Sequence, residues 1–148
     1  MNAPEPKQPQ QVSVSSAQFI ASAFMLSPVV LAGIGTGMVT IGGMEGGVLA
    51  DGSARDIVRI LFLFLGIAAI PFSFFMRRAI SGGAGAARDI SRAFGASFIA
   101  MGTAEAAAIF GFVIAVLTGD LMLAGILWGV GFAGMLFHWP TRRWLEGR

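Results

Sequence analysis

Four runs of apolar residues, each near or beyond the length of a bilayer crossing, divide this sequence: about 19–49, 57–76, 93–118 and 121–139. A helix needs about 20 mainly apolar residues to span about 30 Å of hydrocarbon. The second run is fenced by Arg55, Asp56 and Arg59 at its start and by Arg77 and Arg78 after it. The third and fourth are separated only by Gly119-Asp120, a turn too tight for anything but a hairpin. Three or five crossings would each leave an apolar run in water. The expected fold is therefore all-α, a polytopic membrane protein with four transmembrane helices in two hairpins over residues 18–140.

Composition agrees. Of 148 residues, 55% are hydrophobic and only 12% charged, where soluble domains carry roughly 25% charge. A soluble fold of this size has too few polar groups to cover its surface. Cysteine is absent, which removes disulfides, thiolate catalysis and Cys-ligated zinc or iron–sulfur centres. The net charge of +2 gives no basic groove, so no nucleic-acid partner is expected.

The ends read differently. Residues 1–17 hold three prolines and three glutamines before any apolar run, which predicts a disordered tail. A cleaved signal peptide is not expected, because the run that follows is too long and Lys7 is the only early cation. Residues 141–148 form a short polar C-terminal segment. Lys7, Arg77, Arg78, Arg88, Arg92, Arg142, Arg143 and Arg148 would all lie on one side of the membrane, and only Arg55 and Arg59 on the other. Basic residues stay cytoplasmic, so both termini are expected inside, at a cell inner membrane. Trp139, Trp144 and the single histidine, His138, belong at that inner interface, His138 as a polar interfacial residue.

Helix association in lipid rests on close approach over small residues. Small residues recur at four-residue spacing in Gly33 and Gly37, in Gly125 and Gly129, and in Ala107 and Gly111. These are the expected helix-packing positions, within the chain or between copies. The second run is rich in Phe and Leu and reads as the lipid-facing helix, bent at Pro71.

Glu105 stands at the midpoint of the third run. Ionisable groups at that depth are costly and mark function by default, and hydrocarbon favours the neutral acid. Glu105 is the expected proton- or ion-binding residue, with Thr103 as a hydrogen-bond partner; its structural alternative is polar glue between helices. Glu45, in Gly42-Gly43-Met44-Glu45-Gly46-Gly47, is a secondary ion-binding candidate whose simpler reading is a salt bridge to Arg55 or Arg59. Clustered His, close acid pairs and a serine–base pair are missing, which argues against an enzyme. Histidines inside the runs and a phosphate loop are missing too, so no haem, nucleotide, metal or other cofactor is expected.

The stretch from Ala104-Glu105-Ala106 through Ile109-Phe110 to Leu117 resembles the carboxylate-bearing helix of the c subunit (proteolipid) of rotary ATP synthases. Gly85-Ala86-Ala87-Arg88-Asp89 is similar to the polar loop of that family, with Asp89-Ile90 where the family has Gln-Pro. The resemblance covers residues 85–117. It implies that Glu105 binds a proton or sodium ion and that copies of the chain associate. The chain's ending, from Leu117-Thr118-Gly119-Asp120 to Pro140-Thr141-Arg142-Arg143, is similar to small bacterial membrane proteins of unassigned function. The expected function is an ion-binding or ion-translocating subunit embedded in the bilayer, as a homo-oligomer or part of a membrane complex. The alternative is a structural or accessory subunit packed through its glycine stripes.

Overall fold

The computed structural model describes residues 13–49, 51–82 and 90–146. Of the tail expected over residues 1–17, residues 1–12 lie outside them, as does most of the polar loop near Arg88, while residues 14–17 are not disordered but form the first turn of a helix. Among the described residues all regular structure is helical: α1 Val14–Thr40, α2 Ser53–Ser81, α3 Ile90–Thr118, α4 Leu121–Phe137 and the short α5 Arg142–Glu146. α1, α2 and α3 are each long and apolar enough to cross a membrane; α4, at 17 residues, is apolar but shorter.

Local chemistry sets the helix ends. α1 begins at Val14, ahead of the apolar run, because the Ser13 side chain accepts from the Ser16 N–H at 3.1 Å and caps the first turn. It stops at Thr40 rather than continuing to Leu49: residues 41–49 form a glycine-rich loop. α2 runs past the apolar stretch at both ends, so its arginines stay on the helix. The α3–α4 turn is the expected two residues, Gly119 in the left-handed region (φ +67°) and Asp120, whose side chain caps Leu123 N–H at 3.0 Å.

α3 is the centre of the bundle. It packs against α1, α2 and α4; α4 in turn touches α1 and α2, while α1 and α2 flank the other two and scarcely meet. Phe62 against Phe110 and Arg92 Nε on the Ile80 carbonyl (2.6 Å) set α2 antiparallel to α3. Phe24 against Phe98 and Gly35 against Phe112 set α1 parallel to α3. The α3–α4 seam is built from small residues. Gly131 lies on the Ala108 backbone, Gly134 on Ala104 and Ile70, and Gly111 on the Ala124 carbonyl and Trp128. Ala100, Ala104, Ala107 and Ala108 are fully buried along it.

The end where α3 finishes is closed by hydrogen bonding. A helix leaves its last four carbonyls without helical partners. Here Ala115 O accepts from Gly119 N (2.8 Å), Val116 O from Val48 N (3.1 Å) and Leu117 O from Leu49 N (2.9 Å), while Arg55 donates to Thr118 O. The 41–49 loop therefore folds onto α3 instead of extending α1. It approaches so closely that a side chain at Gly47 would run into the Leu117 carbonyl.

Candidate functional site

Glu105 lies at the middle of α3, half-buried, on the side facing α1. Its Oε1 accepts a hydrogen bond from the Ser27 hydroxyl of α1. That bond departs from the pattern around it. Serine and threonine inside a helix normally return their hydroxyl to a carbonyl one turn back. Ser22 does so to Gln18, Thr40 to Thr36, Thr103 to Ile99 and Thr118 to Ile114, all at 2.8–2.9 Å. Ser27 instead crosses to another helix. The next residue, Pro28, sits buried inside α1; it has no N–H, so the Phe24 carbonyl loses its helical donor beside the site.

Thr103 does not join Glu105. Two residues along a helix turn the side chain by about 200°, and Thr103 shares the α2-facing side of α3 with Phe110 and Arg92. Glu45 is in the loop after α1, exposed, and its carboxylate makes no ion pair among the described residues. The two arginines expected near it are engaged elsewhere. Arg55 pairs with Asp51 and the Thr118 carbonyl; Arg59 pairs with Asp120 at 3.2 Å and Asp56 at 3.7 Å.

The packing positions divide. Ala107 and Gly111 lie in the α3–α4 seam. Gly33, Gly37, Gly125 and Gly129 have nothing within van der Waals reach of a side-chain position; they line outward faces of α1 and α4. Besides Gly111, the helical glycines that make close approaches are Gly35, Gly66, Gly131 and Gly134.

A second polar cluster escaped the sequence reading. His138, just past α4, is fully buried within the protein. Arg77 donates to the Phe137 carbonyl (3.0 Å) and faces His138 Nδ1 at 3.4 Å. A guanidinium only donates, so Nδ1 is the acceptor and Nε2 carries the proton. Nε2–H then donates to Ser73 Oγ at 2.7 Å, and the Ser73 hydroxyl donates to Ile70 O at 2.6 Å. The Trp144 ring of α5 covers the Arg77 guanidinium at 3.9 Å. The chain of donors pins α2, α4 and α5 together and uses a neutral imidazole. The motif is spread over residues 70–144, with no local spacing that announces it.

No family model, curated protein or solved structure matches this chain.

Proposed function

We propose that the chain is a small inner-membrane protein that uses Glu105 as a protonatable centre, binding or passing a proton or another small cation as a subunit of a membrane assembly. The observation that carries this reading is the Ser27–Glu105 bond. A mid-helix carboxyl in an apolar bundle is matched by a hydroxyl that gives up its ordinary partner on its own helix. A hydroxyl serves both states of such an acid, donating to the carboxylate or accepting from the protonated form. The likeness of residues 104–117 to the proteolipid helix supports the same role for Glu105.

The reading has α1 to α4 as four crossings in two hairpins, with both termini cytoplasmic. α4 is the shortest, and its 17 residues reach about 26 Å. The arginines of α2's end, Arg92 and the α5 segment then gather on the cytoplasmic side, and Arg55 and Arg59 on the other. A second reading, an accessory subunit held by its glycine stripes, is favoured by one observation: Gly33, Gly37, Gly125 and Gly129 are open on the outside of a single copy.

Carbodiimide labelling of the protein in membranes, from mildly acidic to mildly alkaline pH, tests the first reading by intact mass, with Glu105→Gln as control. Carbodiimides modify protonated carboxyls in apolar surroundings. A single adduct that vanishes in the variant is the expected result. No adduct at any pH would sink the reading and leave the accessory role.

A further inference from the structure

We infer that Glu105 and the phenyl rings on its face form a binding site for lipophilic organic cations, entered sideways between α1 and α2. The inference rests on the reading of Glu105 as an exchangeable acid and adds the class of ligand that exchanges with the proton.

The site has an open side. α1 and α2 flank α3 without closing over it, and the strip between them is bare. Ile99 is 46% exposed and Ile109 45%, and nothing comes within van der Waals reach of a side-chain position at Gly95 or Gly102. Gly102 and Ile109 stand three before and four after Glu105, hence on its face of the helix. The carboxyl is therefore at the margin of this strip. Only Oε1 is partnered; Oε2 takes no hydrogen bond among the described residues and is not enclosed.

The surroundings suit a large, soft cation. Phe98 and Phe112 lie seven residues before and after Glu105, a spacing that drifts only about 20° on a helix and sets each ring about 10 Å from it along the axis. Phe24 of α1 meets Phe98 edge-on at 5.7 Å, and Phe94 adds a third ring at 4.5 Å from Phe98. These rings are half-buried, so part of each remains free. Aromatic faces attract cations most strongly where water is excluded, and a cation with dispersed charge gives up little hydration on entering. A hard divalent cation takes six or more oxygen ligands; here one carboxyl, one hydroxyl and the freed Phe24 carbonyl fall short of that set. The arginines of the spanning helices that are described sit near the helix ends, Arg55 and Arg59, Arg77 and Arg78, and Arg92. Among the described residues no cation pairs with Glu105, so the inferred ligand supplies the counter-charge. The acid releases its proton, the carboxylate takes the organic cation, and the charge at the site is unchanged across the exchange.

Tetraphenylphosphonium is the probe. Its binding to the full-length protein in detergent is measured by calorimetry across pH, and its protection of Glu105 from carbodiimide is read by intact mass. Expected are saturable binding that weakens as pH falls, protection of Glu105, and at least about tenfold weaker binding in Glu105→Gln. Phe98→Leu keeps the carboxyl and is expected to weaken binding by a smaller factor, which separates loss of the site from loss of the fold. Equal binding by wild type and a monodisperse Glu105→Gln would overturn the inference as mere partitioning into apolar surface. No binding, with Glu105 still labelled by carbodiimide, would overturn it and leave the exchangeable-acid reading standing. Neither binding nor labelling would remove both.

Discussion

Ser27 is the residue on which the site turns. Its hydroxyl is held by Glu105 rather than by its own helix, so Ser27→Ala frees one carboxyl oxygen without opening a large cavity. The expected outcome is faster carbodiimide labelling at Glu105 together with a loss of about 1–2 kcal/mol in thermal stability in detergent. Labelling at the wild-type rate would mean that the hydroxyl does not control the acid. Glu105 was legible in the sequence because it is the lone acid in the middle of an apolar run. Its partner was not, since Ser27 and Glu105 are 78 residues apart and meet only once the α1–α3 register is known. Thr103 is near in sequence and on another side of the helix. His138 fails to announce itself for the same reason: Ser73 and Arg77, which justify its burial, belong to α2.

At the level of elements, the apolar runs marked helices well and helix ends poorly. Hydropathy reports where side chains prefer hydrocarbon, whereas a helix ends where its backbone groups find other partners. α2 therefore carries its arginines beyond the apolar run, and α1 starts early at its Ser13 cap. Residues 41–49 read as apolar and become a loop, whose Val48 and Leu49 N–H groups serve the end of α3. Small-residue spacing was equally legible, but spacing does not say which face a stripe occupies. Gly111 packs on α4, and Gly129 faces away. Gly111→Leu is expected to disrupt the bundle, with loss of the monodisperse peak in size-exclusion chromatography and a cost of about 3 kcal/mol or more from overpacking. Gly129→Leu is expected to leave the fold intact and, if copies associate through α4, to lower the oligomer's mass. An equal effect of both would contradict the division into inner and outer glycines.

For the whole molecule, the absence of cysteine makes topology directly measurable. Single cysteines at Gly46 and at Thr141 are expected to react with an impermeant maleimide from opposite faces of sealed inverted vesicles, Thr141 from the exposed cytoplasmic face. Reaction of both from one face would reverse the four-crossing reading. The overall arrangement, with α3 at the centre, was not foreseeable from the runs, because each is apolar all round and none declares a buried side.

One consequence follows from the unequal helix lengths. α4 has 17 residues beside neighbours of 27 and 29, and it ends where His138, Pro140 and Leu145 turn inward and are buried. On the four-crossing reading proposed above, the lipid beside α4 meets a hydrophobic wall shorter than the one beside α1 or α2. A bilayer accommodates such a step by compressing its acyl chains on that flank or by tilting the protein, each at a modest cost per ångström. On that reading membrane thickness acts on this molecule as an asymmetric load, borne mostly by α4 and by the buried Arg77–His138 joint at its end.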